Sequence, residues 1–286
     1  MKITEDILKE VYPPREKTAK KYDHGSVLLI SGSQIYTGSP GISAMAALRA
    51  GADVTKVAAP ERAADVVAAL GPDMITQPLR GEALSSDHLS KLLEITKGME
   101  SVSSKISVVI GPGVGRREET KKLIRDYVKN TDVPLVIDAD GIYAFEEKGK
   151  EFLTDKCLLT PHLYEFSILT GEDISNLSTD QRAQKVKSFA AEMGVTLALK
   201  GATDIVSDGS DIALNEMSVP ELTAGGCGDS LAGIAGAALS RTGNPFKAAM
   251  AATYLNTKAG SLAAEEKGDS LISKDLIDKL PEAINY

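Results

Sequence analysis

The sequence predicts an α/β chain built on a mostly parallel central sheet with helices on both faces. Three observations lead there. Short, wholly apolar runs such as Val27-Leu28-Leu29-Ile30 and Val108-Val109-Ile110 suit strands buried on both faces. These runs alternate with helical stretches along the chain, the pattern of a parallel sheet joined by crossover helices. Polar and Gly-rich segments follow the strand runs, where open α/β sheets collect their ligands.

Of the 286 residues 43% are hydrophobic and 25% charged, values of an ordinary globular protein with ample chain for a core. No linker rich in Pro, Ser or charge divides it and no repeat of fixed period is evident, so one domain over residues 1–286 is expected, with 1–24 as a lead-in. A net charge of −8 disfavours a nucleic-acid or anionic-membrane partner. With no Trp and 5% aromatic residues, a stacking platform for single strands is also disfavoured. Cys157 and Cys227 make no disulfide framework. The start Met1-Lys2-Ile3-Thr4 has no leader pattern and no apolar run is long enough for a bilayer, so a cytoplasmic setting is expected. His24, His88 and His162 stand far apart, without zinc-type spacing.

The lead-in reads as a short helix followed by an extended segment at Pro13-Pro14. Val27–Ile30 is the first strand, and Tyr36-Thr37-Gly38-Ser39-Pro40-Gly41 leads into an Ala-rich helix, Ile42–Ala50. Val54–Ala58 is a strand, Glu61–Leu70 a helix, and Asp87–Lys97 a second helix. Val108–Ile110 runs into Gly111-Pro112-Gly113-Val114-Gly115; helix Thr120–Lys129 and strand Leu135–Ile137 follow, the latter ending at Asp138-Ala139-Asp140-Gly141. Leu158-Leu159-Thr160 leads through Pro161-His162 to helix Tyr164–Leu169. Helix Gln181–Met193 precedes strand Thr196–Lys200, and Ile205–Ser207 with Ile212–Leu214 flank the turn Asp208-Gly209-Ser210-Asp211 as a hairpin. Two small-residue helices, within Ala224–Leu239 and Ala248–Leu262, are expected to pack closely, and a last helix starts at Ser273.

The chain is organised around Gly225-Gly226-Cys227-Gly228-Asp229, directly before the first small-residue helix. Glycines let backbone approach a ligand closely, and a helix start offers unpaired N–H groups and the positive end of the macrodipole. Together they make an anion site. A carboxylate at its mouth repels phosphate, so Asp229 is either a helix N-cap or a base aimed at a hydroxyl. Five other strand-end segments can share one cleft with it: Ser31–Gly41, Gly111–Gly115, Asp138–Gly141, Thr160–His162 and Lys200-Gly201.

These motifs, in this order, resemble the ribokinase-like superfamily and, within it, the ADP/ATP-dependent NAD(P)H-hydrate dehydratases. The resemblance runs from about Gly25 to Ile284 and implies a three-layer ribokinase-like sandwich. It implies an enzyme that repairs the S-form of hydrated NADH or NADPH: ADP or ATP phosphorylates the ring hydroxyl, and loss of phosphate restores the double bond. The epimerase half that some relatives carry is expected to be absent. Asp229 matches the catalytic aspartate and a substrate contact. Ser39, where relatives usually carry Ala, Gly113 and His162 match substrate-binding positions. Lys200, Gly201, Ala202, Thr203 and Asp204 match the segment that holds the adenosine side of the nucleotide, with Gly225, Gly226 and Gly228 on its phosphates. Asp138 and Glu165 are the candidates for a magnesium ion, against a turn-forming role for Asp138 and Asp140. The resemblance also implies a homo-oligomer.

His162 is alternatively a capping residue and Lys200 an exposed charge. The sequence departs from the family at Leu163-Tyr164, where relatives have Pro-Gly, at Met217–Glu221, and at Cys227, a small filler beside Asp229. Ser39 in the substrate loop and the loss of Gly at Tyr164 leave a second reading, a small-molecule kinase of the same fold acting on a vitamin precursor of the hydroxyethylthiazole type or a sugar; a third, a nucleotide-binding protein without catalysis, is opposed by the intact Asp229 behind three glycines.

Overall fold

The computed structural model describes residues 1–146 and 148–285. Its strands are β1 (Ser26–Ile30), β2 (Val54–Pro60), β3 (Met74–Leu79), β4 (Ile106–Ile110), β5 (Leu135–Ile137), β6 (Cys157–Leu159), β7 (Thr196–Leu199), β8 (Asp204–Ser207) and β9 (Ile212–Asn215). They form one nine-stranded sheet in the order β3-β2-β1-β4-β5-β6-β7-β8-β9. Pairing is parallel from β3 to β7 and antiparallel across β7-β8-β9, where the expected hairpin forms.

The helices are α1 (Asp6–Val11), α2 (Ser39–Arg49), α3 (Glu61–Leu70), α4 (Leu89–Glu100), α5 (Glu118–Lys129), α6 (Leu163–Thr170), α7 (Thr179–Met193), α8 (Cys227–Thr242), α9 (Pro245–Lys267) and α10 (Ser273–Ile284). Successive strand side chains point to opposite faces. Val27 and Leu29 of β1 therefore enter a core with α1, α2, α3, α8, α9 and α10. Leu28 and Ile30 enter a second core with α4, α5, α6 and α7. Both cores are apolar because the central strands β1, β4, β5, β6 and β7 are sealed from water on both faces. Each fully buried Leu or Ile contributes roughly 1.5–3 kcal/mol.

The small residues of α8 have a packing role. A Cβ on Gly233 would stand 2.1 Å from the Ser43 carbonyl oxygen of α2, and one on Gly236 2.5 Å from Val109 Cγ2 of β4. Only glycine allows α8 to lie this close to both. Its neighbour α9 packs along it, as the Ala-rich pattern predicts.

Strand β3 is not anticipated by the sequence. Met-Ile-Thr-Gln-Pro-Leu carries Pro78 and is buried only at Met74 and Leu79, since β3 is a sheet edge where proline loses no interior ladder bond. A second difference concerns Asp229. Gly226, in the left-handed region at φ +91°, is the N-cap of α8, and the helix begins at Cys227. Asp229 is thus the third helical residue and not the cap. No helix of the described residues is long and apolar enough to cross a membrane.

Candidate active site

The strand order reverses direction at β1, which lies between β2 and β4. Chain crossovers diverge there and open a crevice at the carboxyl ends of the strands. Loops after β1 and β4 line it. Ser31 Oγ and Gly32 N both donate to the Pro112 carbonyl, at 2.5 and 2.9 Å. Gly113 holds φ +66°, and a Cβ there would stand 2.8 Å from Tyr36 Cβ and 3.0 Å from Ser39 Cβ. Ser39, the first residue of α2, and Gly113 are therefore direct neighbours.

The next strands bring charge. Asp138, at the end of β5, is buried, accepts from Thr160 Oγ1 at 2.7 Å and from Lys200 Nζ at 2.8 Å. Glu165, also buried, stands 3.8 Å from the same ammonium. Burial lowers the Lys200 pKa, but Asp138 and Glu165 outweigh it and hold the ammonium above its usual range. Burial raises the Glu165 carboxyl, against the pull of Lys200. The backbone around Asp138 is tightly shaped. A Cβ on Gly111 would meet the Asp138 carbonyl oxygen at 2.0 Å, and Ala139 holds φ +51°, a strained value for a residue with a side chain.

His162 is the N-cap of α6. Its Nδ1 accepts from Glu165 N at 3.1 Å, while Glu165 Oε2 accepts from His162 N at 2.8 Å, a reciprocal capping box. The ring is half exposed. Burial, then the nearby Lys200, lowers its pKa and favours the neutral ring. A backbone bridge pairs His162 with Lys200, extending β6 and β7 toward the cleft.

Asp229 faces this charge cluster from the first turn of α8. Its pKa is pushed up to about 6: burial leads, repulsion from Asp138 adds, and the Ser39 hydroxyl and Lys200 oppose. The carboxyl is half-buried, and Ser43 Oγ donates to the Asp229 carbonyl at 2.9 Å, fixing α8 against α2. Ser39, Gly113, Asp229, Asp138 and Lys200 thus meet in one region.

Beside it lies a cavity of about 610 Å3, bordered by His162, Lys200, Gly201, Ala202, Asp204, Gly228 and, on its far wall, Met217–Pro220, Leu222, Leu231, Asn256 and Thr257. Asp204 closes the turn that starts at Gly201 by accepting from Gly201 N at 3.1 Å and from Asn215 Nδ2 at 3.1 Å. Burial pushes its carboxyl up to about 6 despite those bonds. Thr203 is part of this turn but does not border the cavity; Gly225 and Gly226 precede α8 outside it. His162 borders the cavity with the Lys200–Asp204 segment, apart from the Ser39–Gly113 contact.

Among the described residues no three His, Cys, Asp or Glu side chains gather as a metal cage. The donors that are present suit a magnesium ion brought in on phosphates, because magnesium takes one or two carboxylate oxygens and fills its remaining positions with phosphate and water. Asp138 and Glu165 are such donors, shared with Lys200.

Sequence reasoning did not single out Thr160, which holds Asp138, or Leu222, Asn256 and Thr257 in the wall, and it marked Met217–Glu221 only as a departure from the family. Thr160 was visible only as part of a strand end. The wall residues lie on α9 and on the chain after β9, which meet the cavity only after folding.

The family model described as NAD(P)H-hydrate dehydratase matches residues 27–282. A bifunctional NAD(P)H-hydrate repair enzyme of Hyperthermus butylicus is 41% identical over 95% of this chain and 50% of its own length, so the chain spans about half of that relative. An ADP-dependent (S)-NAD(P)H-hydrate dehydratase of Cenarchaeum symbiosum is 36% identical over 99% of this chain and 96% of its own. The crystal structure of the ADP/ATP-dependent NAD(P)H-hydrate dehydratase of Bacillus subtilis, co-crystallised with ATP and Mg2+, superposes with a TM-score of 0.81 at 24% identity, covering 99% of this chain and 96% of that one. That superposition shows the shared fold, ribokinase-like as the motifs implied. With a family model covering nearly the whole sheet and every strand end described above, the chain belongs to the NAD(P)H-hydrate dehydratase family.

Proposed function

We propose that this chain is an ADP- or ATP-dependent dehydratase that returns the S-form of hydrated NADH or NADPH to the reduced dinucleotide. The observation that carries the reading is Asp229: a carboxyl held near a pKa of about 6, at the positive end of α8 and facing the Lys200–Asp138 pair. The names of relatives such as the C. symbiosum dehydratase, which this chain matches over nearly the full length of both, favour it over a kinase that releases a stable phosphoester.

In this reading the hydrated ring lies against Ser39 and Gly113, and the phosphoryl donor lies along Lys200, Gly201, Ala202, Thr203 and Asp204. The ionised Asp229 takes the proton of the ring hydroxyl as that oxygen attacks the terminal phosphorus. An O–P bond forms, and the bond to the departing nucleotide breaks with its electron pair on the nucleotide oxygen. The N–H groups at the start of α8, reached through Gly225, Gly226 and Gly228, stabilise charge on the transferred group, helped by the Lys200 ammonium. The phosphate then leaves the ring with its C–O electron pair, and loss of a proton from the adjacent carbon restores the C=C bond. His162, half exposed and with its neutral form favoured, borders the cavity that takes the phosphoryl donor and would meet the substrate only where it extends past the Ser39–Gly113 contact. A magnesium ion, held by Asp138 and Glu165, would neutralise phosphate charge when bound. The whole chain acts as one catalytic domain, and a cytoplasmic homo-oligomer remains the expected form.

The test is to incubate the protein with hydrated NADH, magnesium and either ADP or ATP, following the absorbance band of the reduced nicotinamide. Recovery of NADH that requires the nucleotide is expected. Phosphate transfer to another alcohol without recovery overturns the reading in favour of a kinase.

A further inference from the structure

Arg116 and Tyr164 stand on one rim of the cleft, and the phosphoryl transfer described above uses neither. Arg116 follows the Gly111–Gly115 loop. Its Nε donates to Asp140 Oδ1 at 2.7 Å, and its guanidinium lies 3.7 Å over the centre of the Tyr143 ring. Gly115 N donates to the other oxygen of the same carboxylate at 3.0 Å, so the loop end is tied to the segment after β5. The guanidinium is thereby oriented, yet 56% of the side chain is exposed. Tyr164, in the first turn of α6, is 61% exposed, and its ring stacks on His162 with centroids 6.4 Å apart and planes 27° from parallel. The two belong to one neighbourhood: Arg116 acts electrostatically on His162 and Glu165, and Tyr164 on Tyr143.

The Tyr164 ring is exposed and stacked on His162, in the same neighbourhood as the exposed Arg116 fork. That pairing suits a ligand with a flat base and a phosphate: the ring offers a stacking face and the fork a bidentate grip. The cleft has a use for one. A dinucleotide hydrate that puts its reacting ring at Asp229 must lay a diphosphate and a second nucleoside somewhere else. In the dehydratase reading the cavity on the β7–β9 side takes the phosphoryl donor. The rim on the β4–β6 side is reached from Gly113 through Gly115 and Asp140, without crossing that cavity.

We infer that Arg116 and Tyr164 bind the diphosphate and second nucleoside of the dinucleotide substrate, Arg116 on the phosphates and Tyr164 against the base; this rests on the dehydratase reading of the cleft. Both are binding residues, and neither touches the reacting atoms.

The experiment compares NADH with reduced nicotinamide mononucleotide, which lacks the second nucleotide. Calorimetry measures binding of both to the unsubstituted chain, Arg116→Ala, Arg116→Lys and Tyr164→Ala, beside turnover of hydrated NADH. The unsubstituted chain is expected to bind NADH about a hundredfold more tightly, from one stacked base and one charged fork. Each alanine variant should weaken NADH about tenfold, leave the mononucleotide within about twofold, and raise KM for the hydrate with kcat kept. Arg116→Lys should recover part of the loss, since the charge remains and the fork does not. Unchanged NADH binding, or equal loss for both ligands, overturns the inference. Binding in the expected pattern without any hydrate repair supports the rim site and overturns the dehydratase reading. Repair with an unchanged NADH-to-mononucleotide ratio in every variant supports that reading and overturns the rim site.

Discussion

Lys200 Nζ donates to Asp138 Oδ1 at 2.8 Å, while the Glu165 carboxylate stands 3.8 Å from the same nitrogen. One cation therefore balances two carboxylates whose side chains are only 2% and 6% exposed. Removing it leaves uncompensated buried charge. Lys200→Met is expected to destabilise the fold by about 3–5 kcal/mol at pH 8, the usual effect of breaking a buried pair from one side. The loss should be smaller at pH 5 than at pH 8, because the raised Glu165 carboxyl is more readily protonated as the pH falls. Urea unfolding at the two pH values checks this; equal losses at both would remove Glu165 from the account.

Asp229 must be ionised to accept a proton, and its pKa is held near 6. The rate at subsaturating substrate should be level above about pH 7 and fall about tenfold per unit below pH 6. Asp229→Asn should reduce turnover at least about 100-fold, the size expected for a general base, with nucleotide binding retained. Near-normal turnover in that variant would leave Asp229 a merely structural member of the first turn.

The same carboxyl carries a stability prediction of definite sign. Its folded pKa of about 6 lies above the ordinary 3.8, so the folded chain binds the extra proton between those values. Stability therefore falls as pH rises through that window and stays lower above it. Asp229→Asn should stabilise the chain by about 1 kcal/mol at pH 8 and by nothing at pH 3.5. Denaturant midpoints at both pH values measure it.

Two glycines of the site are expected to respond differently to alanine. Gly113 has φ +66° and no room for a Cβ against Tyr36 and Ser39, so Gly113→Ala should displace the Ser39 loop and raise KM for the hydrate. A Cβ on Gly228 would stand 3.6 Å from Lys200 Nζ, ordinary contact within a helix. Gly228→Ala should keep or raise Tm and weaken nucleotide binding about tenfold by holding phosphate away from the α8 amides. A variant Gly228→Ala that unfolds early contradicts the helix assignment there.

Much of this architecture was legible because burial on both faces leaves a plain mark. Val27–Ile30, Val108–Ile110 and Leu135–Ile137 are continuous apolar runs and became β1, β4 and β5. Glu61–Leu70 coincides with α3 to the residue. β3 was illegible because an edge strand is only half covered and tolerates Pro78 and Gln77. The start of α8 was misplaced by three residues. Asp229 looks like a cap in sequence, but Gly226 at φ +91° turns the chain earlier and makes Cys227 the first helical residue.

By itself the sequence determined the fold class, the family motifs and the residue types at each strand end, since those follow from local pattern and backbone chemistry. Only the tertiary structure decided how the strand-end charges are shared. Asp138 and Lys200 directly follow β5 and β7, Glu165 lies in α6, and the charge balance among them depends on distances that no spacing along the chain encodes. The same holds for the Asp229 carboxyl. Its identity as an aspartate is local, whereas its pKa near 6 comes from burial and from Asp138, brought beside it only when the sheet closes under α8.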